Sequence, residues 1–190
     1  MRDLLIHLRT LTDFSEESWN VLQSFTTICH FKKGAYMVTQ DKDCQSLFFI
    51  SKGYCRAFHI QEGIEINTNF YFENEIATNI NSYVRNHKAS FTIQACEPVI
   101  AYRFDKDDIL KAGITAPEIE KAGKLNLQLI AAKQENQIAL YRLLTARQRY
   151  EYLESQEPQI LQRVPLTLLS SYLGVTRETL SRIRNRKVKS

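Results

Sequence analysis

The final 27 residues, VPLTLLSSYLGVTRETLSRIRNRKVKS, constrain this chain more than any other segment, because they read as two short helices joined by a tight turn. An apolar helix is predicted from about Leu166 to Leu173, with Gly174 and Val175 as the turn and a second helix opening at Thr176. Ser170 is small where the helices approach, and Gly174 supplies the positive φ that ends a helix sharply. Leu169, Leu173, Val175, Leu180 and Ile183 form the apolar wedge, and Thr176 is a good N-cap with Thr179 three places on. These are the residue types and offsets a helix-turn-helix needs. The polar side of the second helix shows Arg177, Glu178, Ser181 and Arg182 near its start, where such a helix meets base edges. An ordinary helical hairpin with a solvated basic face is the alternative.

Charge is distributed to match. The whole chain carries +4, yet the segment 145–190 holds nine Lys and Arg against four Asp and Glu, +5, and the preceding 144 residues sum to −1. A basic end on a near-neutral body points to a polyanion partner for that end alone, or to a solvated tail. With 44% hydrophobic and 11% aromatic residues the chain can build real cores. No apolar run of about 18 residues is present, so no membrane span is expected, and MRDLLIHLRTLTDF is too short and too charged for a secretory leader. Cys29, Cys44, Cys55 and Cys96 are scattered, as are the four histidines. This speaks for reduced thiols in the cytoplasm and against zinc or a redox motif, so neither a metal nor another cofactor is expected. No GxSxG, P-loop, HExxH or convincing catalytic pair occurs, so the chain does not read as an enzyme.

Ahead of the basic end the pattern changes twice. Ser15 opens a short helix, and from Ile28 to Phe104 about seven short β runs follow, turned at Gly34, Gly53 and Gly63, which indicates a small antiparallel barrel or sandwich. Phe70 and Phe72 in these runs are core or ligand walls, with core favoured. Then comes a long helix with Pro117 in its first turn. Ala122, Leu125, Leu129, Ala132, Asn136, Ala139 and Leu143 alternate spacings of three and four, a coiled-coil seam about three heptads long in which Asn136 would set register. A helix packed on its own domain is the competing reading. Thr145 and Gln148 then form a capping box, so a new helix starts at a hinge. The fold class is α+β: a β-roll over 1–116, a dimerisation helix over 117–144 and a helix-turn-helix unit over 145–190.

This order of elements resembles the Crp/Fnr family of bacterial transcription regulators over nearly the whole chain, most specifically at Thr176-Arg177-Glu178-Thr179-Leu180-Ser181-Arg182. The resemblance implies a cytoplasmic homodimer that sets two recognition helices in successive major grooves of a near-palindromic duplex, with RNA polymerase as a further partner. It makes Arg177, Glu178, Ser181 and Arg182 base readers, since an Arg fork suits guanine and Glu accepts from the cytosine amino group. Thr176, Arg184, Arg186, Lys187 and Lys189 are then placed for phosphates. The hairpin wing often found in the family is not evident. The family's cyclic-nucleotide cassette has Gly-Glu, a short helix, then Arg-Ser; here those places read Asn74-Glu75 and Ala89-Ser90, with Arg85 and Lys88 as neighbouring substitutes. Losing the Arg pair to phosphate costs roughly 2–3 kcal/mol, about 30- to 150-fold in affinity. A cyclic nucleotide is therefore not expected to bind tightly. The other functional class consistent with the sequence is a small-molecule sensor whose DNA contact is secondary.

Overall fold

The structure is a computed structural model that describes residues 1–187, the last two by backbone alone. Two helices open the chain, α1 (Arg2–Leu11) and α2 (Glu16–Ser24). Ser15 caps α2 by accepting from Ser18 N at 3.1 Å, and Ser15 in turn donates through N and Oγ to Glu118, both at 2.8 Å.

Eight strands follow: β1 (Thr27–Phe31), β2 (Tyr36–Val38), β3 (Ser46–Lys52), β4 (Cys55–Gln61), β5 (Ile64–Tyr71), β6 (Ile76–Ala77), β7 (Thr92–Ala95) and β8 (Val99–Asp105). They form two antiparallel four-stranded sheets, ordered β1-β8-β3-β6 and β2-β7-β4-β5. The β4–β5 hairpin turns at Glu62 (φ 52°) and Gly63 (φ 77°), the pair of positive φ values a two-residue turn requires. Gly53 joins β3 to β4 at φ 85°, and a Cβ there would lie 2.5 Å from the Pro98 carbonyl oxygen, so only glycine fits. The short helix α3 (Ile80–Arg85) connects β6 to β7.

The remaining described residues form helices: α4 (Lys106–Thr115), α5 (Pro117–Leu143), α6 (Ala146–Gln156), α7 (Pro158–Arg163), α8 (Leu166–Leu173) and α9 (Arg177–Lys187). The Thr145–Gln148 capping box starts α6, with both reciprocal bonds formed.

Strand alternation feeds three separate cores. Val38, Phe48, Ile50, Cys55, Ala57, Tyr71, Ile93 and Ala101 fill the space between the sheets. Phe49, Tyr102 and Phe104 point the other way and meet Leu4, Leu8, Trp19, Ala112, Ile119 and Ala122 from α1, α2, α4 and α5. On the opposite side Tyr54, Phe70 and Phe72 bury against Tyr150, Leu153, Ile160, Leu169, Tyr172, Leu173 and Leu180. Phe70 and Phe72, 0% and 1% exposed, are thus core residues, but of the layer between the roll and the C-terminal helices. At about 2–3 kcal/mol for each fully buried aromatic, this layer fastens the C-terminal helices to the roll.

Candidate functional sites

The C-terminal helix pair is positioned by its turn. Gly174 sits at φ 68°, its amide donates to Ser171 O at 3.1 Å, and Val175 N donates to Ser170 O at 3.0 Å, closing α8. Thr176 Oγ1 accepts from Thr179 N at 3.2 Å and opens α9. Leu180 is fully buried against α8, with Val175 and Ile183 packed beside it. The face turned away carries Arg177, Glu178, Ser181, Arg182 and Arg184, all exposed. Hydrogen bonds from its own amide and from the Thr176 hydroxyl hold the Glu178 carboxyl below its ordinary value, so it is ionised. Arg186, Lys187 and Lys189, assigned to phosphates on sequence grounds, lie outside the described side chains.

The C-terminal block is docked by specific polar contacts. Arg163 donates to Glu73 through two nitrogens (2.6 and 3.0 Å) and to Glu97 (2.6 Å), and its guanidinium lies 5.1 and 5.2 Å from the Tyr54 and Phe72 rings. Burial pushes the Glu73 carboxyl up, but the bonds from Arg163 and from backbone amides outweigh this and hold it below its ordinary value. Arg56, 7% exposed, donates to Gln94, Asn67 and Glu65, while Asn67 N donates to Ser171 Oγ at 3.0 Å and its side chain to Leu168 O at 3.4 Å. From α5, Gln137 donates to the Tyr172 hydroxyl and Tyr141 to the Tyr172 carbonyl. None of these pairs has a local sequence signal.

The cassette region is closed on itself. Asn79 caps α3 with its own side chain, accepting from Ser82 N at 3.2 Å and donating to Ser90 Oγ at 3.2 Å. Ser82 Oγ accepts from Cys44 N at 2.8 Å, and Thr78 donates to Ser46 O at 3.0 Å. Asn79 and Ser82 are 1% and 0% exposed, and Ala89 is buried with its amide and carbonyl bonded to Lys42 and Asp41. Lys88 lies outside, paired with Asp43 at 2.9 and 3.0 Å, and Arg85 is exposed. The structure therefore does not bring Arg85 or Lys88 to Glu75. The hydroxyls and amides of this region bond one another and the nearby backbone.

Glu75 looks elsewhere. The turn at Asn74 (φ 67°) aims its carboxylate at α5, where Oε1 meets Lys133 Nζ at 2.6 Å and Oε2 accepts from Phe72 N at 3.0 Å. A cavity of about 200 Å³ opens there between the turn, β5 and α5. Its α1 wall is His7, hydrogen-bonded to Asn126 Oδ1 at 2.9 Å.

Helix α5 shows two stripes. Ile119, Ala122, Asn126, Lys133 and Gln137 face their own chain, and Ala122, 2% exposed in the α1–α2–α4 core, cannot belong to a seam with another chain. The seam reading is corrected at that position, because α1 and α2 already cover the first turns of the helix. Leu129 (52%), Ala132, Asn136, Ala139 and Leu143 (78%) are exposed and Leu125 is half-buried, roughly a third of a turn from the inner stripe. Among the described residues no helix is long and apolar enough to cross a membrane, and no cluster of metal-ligating side chains occurs.

Residues 28–113 match the family model of the cyclic nucleotide-binding domain. No curated protein sequence matches the chain. A cyclic nucleotide-binding domain containing protein from Listeria monocytogenes is similar in structure at a TM-score of 0.70 and 17% identity, covering 98% of this chain and 91% of that one. The c-di-GMP responsive global regulator CLP of Xanthomonas campestris gives 0.71 and 12%, with 92% of each chain covered. The catabolite activator protein of Thermus thermophilus gives 0.56 and 19%, with 96% and 87% covered. Residues 28–113 are thus similar to a cyclic nucleotide-binding domain, and with the long helix and helical C-terminal block they share the fold of these structures.

Proposed function

We propose that this protein is a sequence-specific DNA-binding transcription regulator of the Crp/Fnr type that acts as a homodimer and answers to an effector other than a cyclic nucleotide. The observation that carries the reading is the exposed Arg177–Glu178–Ser181–Arg182 face, held outward by the buried Leu180 and the Gly174 turn. Arg177, Ser181 and Arg182 reach base edges, with Glu178 accepting from a cytosine amino group. Thr176 and Arg184, with Arg186 and Lys187 beyond, hold phosphates. Two chains associate in parallel along Leu125, Leu129, Ala132, Asn136, Ala139 and Leu143, setting two α9 helices about 34 Å apart, one turn of DNA. RNA polymerase is the further partner this role requires. The free thiols Cys29, Cys44, Cys55 and Cys96 fit the reducing cytoplasm.

Selection of fragments from a random duplex pool tests the reading: an enriched near-palindrome is expected. Arg177→Ala should lose about 1–3 kcal/mol per half-site and relax one base pair. Recovery of no enriched sequence overturns it in favour of a sensor module whose DNA contact is secondary. Calorimetry tests the effector half. The sealed cassette, with Asn79 in the α3 cap and Lys88 on Asp43, predicts no tight binding of cyclic AMP. A sub-micromolar dissociation constant would refute that part.

A further inference from the structure

We propose that the cavity between the β5–β6 turn and α5 binds a free α-amino acid with an apolar side chain. The inference rests on the reading above that the effector is not a cyclic nucleotide, and it names the effector's chemical class.

The charge layout of the cavity selects a zwitterion. Glu75 and Lys133 stand together on its wall at 2.6 Å, half-buried and of opposite sign. Each has bonding capacity left: Lys133 meets a single acceptor with three N–H groups, and each Glu75 oxygen has a single donor. A ligand with one charge would gain one of these groups and be opposed by the other. A zwitterion inserts between them, its carboxylate on Lys133 and its ammonium on Glu75, and turns one ion pair into two. Asn69 reinforces the carboxylate end: its Oδ1 is taken by Phe70 N and its amide bonds the Tyr71 hydroxyl, which leaves one amide hydrogen for the ligand.

The rest of the cavity is mostly apolar. Ile76, Leu129 and Ile130 give it most of its surface, Asn74, Gln134 and Gln137 stand at its edge, and the His7–Asn126 bond satisfies its floor. A cavity of about 200 Å³ has room for a side chain the size of leucine or phenylalanine. Mixed lining of this kind, mostly apolar with a few convergent polar groups, is what small-molecule sites share. The position also gives the ligand leverage. Lys133 and Leu129 are both on α5, and Leu129 is 52% exposed on the side proposed to meet a second chain. An occupant that contacts both shifts the equilibrium between helix arrangements by whatever difference in affinity it has for them.

The test uses the full chain without DNA, so its failure leaves the DNA-binding reading intact and the reverse also holds. Calorimetry and thermal shift with L-leucine, L-isoleucine, L-valine and L-phenylalanine should show saturable binding of one or more, one per chain. For leucine, 4-methylpentanoate lacks the ammonium and 3-methylbutylamine lacks the carboxylate. Each should bind roughly 10- to 100-fold more weakly than the parent, the loss of one charge-assisted pair. Lys133→Met and Glu75→Gln should abolish binding, while Lys124→Met on the outer face of the same helix should not. The proposal is overturned if none of the four amino acids binds, if either half-molecule binds as tightly as leucine, or if binding survives both substitutions.

Discussion

Arg163→Ala should loosen the C-terminal block from the roll while leaving each core folded. The guanidinium makes three charge-assisted hydrogen bonds to Glu73 and Glu97 and lies against two aromatic rings. Each carboxylate pair is worth about 1.5–3 kcal/mol when well shielded. The side chains are 31%, 32% and 39% exposed, so solvent screening cuts each pair to about 1 kcal/mol. Ring contact adds about 0.5–1 kcal/mol. The expected loss is about 3 kcal/mol, close to 100-fold in the docking equilibrium, and about 1.5 M in urea midpoint at a slope near 2 kcal/mol per M. Arg163→Met, which keeps the stem over Tyr54 and Phe72, should lose about 2 kcal/mol. The single tryptophan makes the assay selective, since Trp19 is buried in the α1–α2–α4 core far from the clamp in sequence. Wild type should lose Trp19 fluorescence and far-ultraviolet ellipticity together; the variant should lose part of its helical signal first. Coincident transitions at an unchanged midpoint would refute the clamp.

The same clamp predicts acid sensitivity. Because the folded Glu73 carboxyl titrates below its ordinary 4.5, its contribution is complete above about pH 4.5 and is lost as the pH falls through the folded value. Urea midpoints taken from neutrality downward should fall in that window in wild type and less in Arg163→Met; parallel curves would contradict the assignment. Gly53→Ala should lower the stability read from urea unfolding by about 2–3 kcal/mol, combining a strained positive φ with the close Pro98 oxygen. Gly63→Ala, which meets open space, should lose only about 1 kcal/mol, and equal effects would dismiss the Pro98 contact. Ala139→Glu should give monomers by light scattering with unchanged ellipticity; a variant still of dimer mass would move the interface to another face of α5.

What was legible in the sequence was local. Ser15 as a cap, Gly63, the Thr145–Gln148 box and the Ser170–Gly174–Thr176 set each act on neighbours within a few residues, and each stands where its chemistry places it. Helix α1 was overlooked, although Leu4 and Leu8 repeat at helical spacing, because its partner Asn126 lies 119 residues away. Helix α4 carries little sequence signal, because its one fully buried side chain, Ala112, leaves a weak stripe. The apolar character of Phe70 and Phe72 was plain, but not which core they enter, since strand alternation gives two faces and no label for either. Glu75–Lys133 and Glu73–Arg163 span 58 and 90 residues. Without a local signal, charged residues on a helix read as solvated. A second stripe of Asn126, Lys133 and Gln137 beneath the seam was the one available hint.

The two stripes of α5 make its length a constraint in single residues, not merely in turns. Inserting one residue near Ile130 would swing everything beyond it by about 100°, carrying Ala132, Asn136 and Ala139 onto the roll and turning Lys133 and Gln137 away from it. Seven inserted residues would displace the stripes by only about 20° while lifting the C-terminal block by about 10 Å, tearing Gln137 from Thr68 and Arg163 from Glu73. Neither a short nor a whole-heptad change preserves both contacts. Viable relatives of this chain should therefore hold the count between Ala116 and Thr145 fixed, and place their length variation in the roll's turns.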